Sequence, residues 1–159
     1  MGKLDEANIK ILSLMQEDAA LTADEIAEEV GLSASAVQKR LRQMRADGVI
    51  ERETAIVSAE ALGGVSMFLV NIQLIRTKHD TIGAFRALMR DTEEVLQCFH
   101  ITGPFDFCVL VAAKDTRAYE GFSNRMFTEE NFVARFETSV VLKSVKYGFA
   151  LPLEQLLAR

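Results

Sequence analysis

Lys39, Arg40, Arg42 and Arg45 place four cationic side chains between Ala34 and Ala46, a stretch that holds no acid. The stretch before it is the reverse: Ala23 to Val30 carries Asp24, Glu25, Glu28 and Glu29 and no base. Closely spaced cations bind phosphate oxygens, and neighbouring hydroxyls and amides can read base edges. Ser33, Ser35 and Gln38 supply those groups beside the cations. Charge alone would describe a solvated basic face on an ordinary helical hairpin. The chemistry becomes specific only if the backbone holds these side chains in one register on one face.

The local punctuation supplies that backbone. Thr22 with Glu25 three residues on is a capping box, so a helix starts there. Ala23, Ile26, Ala27 and Val30 share one side of it. Gly31 ends it, because a left-handed cap costs glycine little. Ser33 can cap the next helix, whose apolar stripe is Val37, Leu41 and Met44. Two short helices around a tight turn, the second basic and polar on its free face, form a helix-turn-helix. Its second helix is expected in the major groove of duplex DNA. The expected contacts are Ser33, Ser35, Gln38, Lys39, Arg40, Arg42 and Arg45, with the arginines mostly on phosphate and Ser35, Gln38 and Lys39 nearer the bases.

The bulk numbers restrict the partner. The 159 residues carry 18 basic and 23 acidic side chains, a net charge of −5. DNA affinity must therefore come from a local patch, and dimerisation would double it. No metal site is expected, because Cys98 and Cys108 show no CxxC or mixed Cys/His spacing. They read as small core or half-buried residues in a reducing cytosol. The start, MGKLDEANIK, has no signal-peptide pattern, and no apolar run approaches a membrane span. A cytoplasmic protein without cofactor or membrane partner is expected.

Three segments organise the chain. Residues 1–52 form the DNA-binding domain, with a first helix from Asp5 to Gln16 whose stripe is Leu4, Ala7, Ile11, Leu14 and Met15. Ile9 and Leu12 lie off that stripe and suit either a wider core or a partner-chain contact. Residues 53–64, ending in Gly63-Gly64, read as a short wing or connecting strand. Residues 65–159 repeat a strand–helix–strand rhythm. Strands are expected at Met67–Ile75, Val95–Ile101, Phe107–Ala113 and Arg135–Val145. Helices are expected at Asp80–Asp91, with Ile82, Phe85, Leu88 and Met89 buried, and at Thr116–Met126, with Tyr119, Phe122 and Met126 inward. This βαββαβ order predicts an α+β, ferredoxin-like sheet with two helices on one face. The strands FLVNIQLI, FCVLVAA and SVVL are too apolar to leave the other face wet, so a homodimer formed by sheet pairing is expected.

With these pieces in place the chain resembles the Lrp/AsnC family, the leucine-responsive or feast/famine transcriptional regulators. The resemblance rests on LDEANIKILSLMQEDA, LSASAVQKRLRQMRADGVI, ITGPFDFCVLV and ETSVVLKSVKYGFALPL, and spans nearly the whole length. It implies an N-terminal winged helix-turn-helix and a C-terminal effector and assembly domain. It further implies a homodimer, a higher even-numbered assembly such as an octamer, and an amino-acid effector bound between dimers. Thr102, Gly103 and Asp106 then correspond to the effector hairpin, and Thr138 and Ser139 to the strand lining the pocket from a neighbouring dimer. Asp106 would accept from the effector ammonium, and the hydroxyls and hairpin N–H groups would donate to its carboxylate. The chain departs from the family at Asn8, Pro104 and residues 129–132.

An enzymatic alternative exists, because certain tetrapyrrole decarboxylases resemble this domain pair. Its candidates would be His79, His100 and Arg135. There is no nucleophile elbow, no GxGxxG and no metal motif to support it.

Overall fold

The structure, a computed structural model, describes residues 4–75, 81–129 and 133–157. Packing divides the chain into two units, Met1–Ile56 with Lys146–Arg159, and Val57–Val145. The first contains α1 (Glu6–Glu17), α2 (Ala23–Val30) and α3 (Ala34–Ala46). Both halves of the capping box at Thr22 form: Glu25 donates its N–H to Thr22 Oγ1, and Thr22 donates its own to the Glu25 carboxylate at 2.7 Å. Gly31 sits at φ 69°, the left-handed cap that a side chain would strain, and lets the chain turn at once into α3. Ser33 caps α3 by accepting the Ala36 N–H.

Ile11, Leu12, Ile26, Ala27, Val37, Leu41 and Met44 form the core of this unit. Leu12, which the helical stripe left out, is only 7% exposed, so here the wider core wins over a partner contact. The expected wing does not form in the single chain. Residues 51–58 carry no regular structure, and Ile56 and Val57 are exposed. A strand needs a neighbour for its backbone groups, and this segment has no rung in the four-stranded sheet.

The second unit is built from β1 (Ser66–Leu74), α4 (Thr81–Arg90), β2 (Val95–His100), β3 (Phe107–Ala113), α5 (Thr116–Ser123) and β4 (Val133–Val140). A π-helical turn, Asn124–Glu129, extends α5 toward β4. The sheet is antiparallel with strand order β2-β3-β1-β4. This is the expected split βαβ arrangement. The period of two sends Phe68, Val70, Ile72 and Leu74 from β1, and Phe107, Val109 and Val111 from β3, into one core with Phe85, Met89, Tyr119, Phe122, Met126 and Phe127. Ile82 proves to be a surface residue at 42% exposure, although it lies in the first turn of α4 on the same side as Phe85 and Met89.

Two expected spans end elsewhere. β4 stops at Val140 rather than Val145: Val140 is paired with Phe68 near the start of β1, and one further bond runs from Val141 N–H to the Met67 carbonyl. The tail also differs from the 65–159 span expected of one domain. Its short helix α6 (Leu153–Leu157) packs Leu153 on the core of the first unit. The Gln16 side-chain amide accepts from Leu151 N–H at 2.7 Å and donates to its carbonyl at 3.1 Å, imitating a strand rung. No hydrophobic pattern in the tail marks this pairing, which is set by a side chain 135 residues away.

Candidate nucleic-acid interface and effector site

The reader face is α3. Val37, Leu41 and Met44 are buried, so the 3.6-residue period leaves Ser35, Gln38, Lys39 and Arg42 exposed together. Ser33 is exposed beside them, its hydroxyl within 3.1 Å of that of Ser35. Arg42 Nε lies over its own helix at 3.4 Å from the Gln38 carbonyl, which leaves its outer edge toward solvent. These five side chains form one polar and cationic strip on a fixed helix.

The other two arginines are engaged inside the first unit. Arg40 Nη1 donates to Asp5 at 2.7 and 3.0 Å and to Asn8 Oδ1 at 2.8 Å. Arg45 grips Glu53 through Nε at 2.9 Å and Nη2 at 2.6 Å. The Asn8 N–H, and then Arg40, hold the Asp5 carboxyl below the usual carboxylate range. Asp5, Asn8 and Glu53 are thus part of this surface, although the sequence marked Asp5 only as a helix start and Asn8 only as a departure from the family. Asp5 stands 35 residues from Arg40, and no local pattern joins them.

The second site lies at the end of the sheet where β2 turns into β3. Gly103, at φ 119°, bends the hairpin. Asp106 fastens it: its N–H donates to the Ile72 carbonyl at 2.9 Å, and its carbonyl accepts from Ile101 N–H at 2.9 Å. Its carboxylate Oδ2 accepts the Leu74 N–H at 2.8 Å. The carboxylate assigned to an effector ammonium therefore already serves the backbone of β1. Phe105 of the same hairpin lies under the Arg135 guanidinium, 5.7 Å from ring centre, and Arg135 pairs with Glu137. Neither contact follows from the sequence pattern. Arg135, a candidate in the enzymatic alternative, is bound up in this surface pair.

Thr138 and Ser139 do not share a face. Thr138 is opposite Val70 and Ser139 opposite Leu69, so they point to opposite sides of the sheet. The Thr138 hydroxyl meets the Tyr119 hydroxyl on α5 at 2.5 Å, while Ser139 lies on the helix-free side. Burial raises the Tyr119 phenol above its ordinary range, and the bond to Thr138 partly opposes this.

Among the described residues the remaining candidates show no catalytic grouping. His100 Nδ1 is 2.7 Å from Arg86 Nη2, and its ring stacks on Phe107. His79 and residues 130–132 lie outside the described residues. Cys98 is opposite Val109 and Cys108 opposite Phe99, which turns the thiols to different faces; burial raises both above the ordinary thiol range. Among the described residues no cluster of His, Cys, Asp and Glu could hold a metal, and no helix is long and apolar enough to cross a membrane. A cleft of about 750 Å³ opens at the other end of the sheet, beside Ala112, but its Glu94 and Arg125 close on each other at 2.8 Å.

Known proteins match both units. Residues 4–51 match a winged helix-turn-helix DNA-binding family, and residues 67–151 match the Lrp/AsnC ligand binding domain. An HTH-type transcriptional regulator of Sinorhizobium fredii is 40% identical over 152 residues, covering 96% of this chain and 90% of the relative. The Bkd operon transcriptional regulator of Pseudomonas aeruginosa is 31% identical over 153 residues, covering 96% and 100%. A transcriptional regulator of Neisseria meningitidis, solved as a complex with L-Met, superposes with a TM-score of 0.90 at 32% identity, covering 97% of this chain and 99% of that one.

Proposed function

Because the chain belongs to the Lrp/AsnC family of DNA-binding transcriptional regulators with a ligand-binding domain, we propose that it works as an amino-acid-responsive assembly of dimers. The regulator family also removes the decarboxylase alternative. Ser33, Ser35, Gln38, Lys39 and Arg42 meet the operator, with Arg45 joining them if phosphate displaces Glu53. Two copies of α3 in a dimer address half-sites a helical turn or a multiple apart. The effector lies between dimers, against Thr102 and Gly103 of one hairpin, with Asp106 shaping the hairpin and with strand residues Thr138 and Ser139 near by. The protein acts in the cytoplasm, where duplex DNA and free amino acids are both present.

The observation that carries this reading is the uncovered apolar surface of the second unit. Leu69 and Phe99 on the helix-free face are 40% and 49% exposed, and Leu142 and Val145 beyond β4 are 95% and 93% exposed. Two helices cover only the opposite face, and apolar area of this kind is buried by a partner. The relative crystallised with L-Met supports an amino acid as the effector class. Control then follows from linkage: an effector that binds one assembly better than another shifts the population toward it, and DNA affinity changes with it.

Sedimentation velocity at micromolar protein, alone and with each of the common amino acids, tests the proposal. An even-numbered assembly whose distribution shifts with at least one amino acid is expected. A monomer of 17.7 kDa throughout would overturn it. A fixed assembly indifferent to every amino acid would remove the effector from it.

A further inference from the structure

Arg40 is a cation on the reader helix that does not face outward. Its guanidinium is held by three oxygen atoms at the start of α1, two from Asp5 and one from Asn8. Asp5 also caps α1, because its Oδ1 accepts the Asn8 N–H at 2.8 Å. One carboxylate therefore fixes both the first turn of α1 and the middle of α3.

The apolar residues of α1 and α3, Ile11, Leu12, Val37, Leu41 and Met44, share one core with Ile26 and Ala27 of α2. Burial of the Val37-Leu41-Met44 stripe sets which face of α3 points inward, but hydrophobic contact has no direction and does not fix the finer roll of one helix against the other. A charge-assisted hydrogen bond does have direction. Arg40 lies on the same helix as Gln38, Lys39 and Arg42, so a roll of α3 that breaks its bonds also turns those side chains away from their common line.

We infer that Asp5, aided by Asn8, is a positioning residue for DNA recognition that acts through Arg40 and sets the roll of the reader helix. As a stability element the pair would count for little, since Asp5 and Arg40 are 52% and 32% exposed and such pairs are screened. Its consequence is orientation.

The sign of one substitution tests this. Asp5→Asn keeps a good helix cap, because asparagine caps as well as aspartate. It also removes a negative charge from a domain that meets a polyanion. Electrostatics alone predicts tighter DNA binding, whereas loss of the brace predicts weaker binding. Glu53→Gln is the matched control: it removes the same charge from the partner of Arg45, which does not bridge to α1. The probe is a duplex enriched from a randomised pool on the parent protein, with a shuffled duplex of the same composition beside it. Binding is measured over a salt series, below the melting midpoint of every variant.

Asp5→Asn is expected to bind the enriched duplex more weakly, with the parental salt slope and a smaller preference over the shuffled duplex. If the unbraced helix holds the reading position about one-tenth of the time, the loss is about tenfold. Glu53→Gln is expected to bind as tightly as the parent or more tightly. Arg40→Lys is a second variant that keeps the charge and discards the planar fork. It too should weaken binding at constant slope, whereas a phosphate-contacting residue would tolerate lysine. The inference is overturned if Asp5→Asn binds like Glu53→Gln, or if Arg40→Lys retains parental affinity and preference. A change in melting midpoint without a change in preference would make Asp5 merely structural and would equally overturn it.

Discussion

Asp106 offers the sharpest contrast between an effector group and a structural one. Its carboxylate accepts the N–H of Leu74, a residue only 4% exposed, at 2.8 Å. Replacing Asp106 by alanine leaves that buried N–H without this acceptor, and such a loss costs about 1–3 kcal/mol. The bond is charge-assisted, which argues for the upper part of the range, but Asp106 is itself partly exposed and water can enter, which argues for the lower; we take about 2 kcal/mol. In a unit the size of Val57–Val145, about 1 kcal/mol shifts the midpoint by about 4–8 °C, so alanine lowers it by about 8–16 °C. Asparagine can still offer a carbonyl oxygen to Leu74 and loses only the charge, about 1 kcal/mol or about 4–8 °C. Scanning calorimetry reads both shifts, and hydrogen exchange at the Leu74 amide reads the bond itself. An alanine variant that melts with the parent and protects Leu74 equally would refute the reasoning. Titration of amino acids into the asparagine variant separates the roles further. Effector binding lost with little change in melting would return Asp106 to the ligand, and binding retained would confine it to holding the hairpin.

Removing Arg42, exposed on the reader face, should weaken all duplexes alike and reduce the salt slope by about one unit, while Gln38→Ala should change preference by about 1–3 kcal/mol at one base pair; binding-site selection at several salt concentrations checks both. Tyr119→Phe keeps the ring stacked 4.0 Å from Phe68 but loses the bond to Thr138, so a cost of about 1 kcal/mol near neutral pH is expected. Because burial raises the Tyr119 phenol, the folded chain holds that proton more tightly than the unfolded chain. Its contribution is complete below the ordinary value of 10.0 and is lost as pH rises through the folded value, so the parent's advantage over the phenylalanine variant in denaturant midpoint should hold near neutral pH and shrink only in alkaline solution.

Much of this protein follows from neighbours in the chain. The caps at Thr22 and Ser33, the left-handed Gly31 and the Val37-Leu41-Met44 stripe are all interactions within about one helical turn, so they mark the reader helix without any knowledge of the rest. The alternation in β1 and β3 likewise assigns their buried faces, because a pleated strand turns every second side chain the same way. That same alternation separates Thr138 from Ser139 once β4 is placed, a consequence that family correspondence alone does not carry.

Tertiary structure decided the partners of charged and polar groups. Arg40 looks like any other cation of α3 until Asp5 is brought beside it, and Asp106 looks like a turn residue until Leu74 presents its N–H. The return of Leu151 and Leu153 to the first unit, and the end of β4 at Val140, have the same origin. Caps and periodic stripes are local and recur wherever their residues occur. A long-range hydrogen bond exists only after the chain has closed, when a buried or directed polar group takes whichever complementary atom the packed core has carried to within about 3 Å.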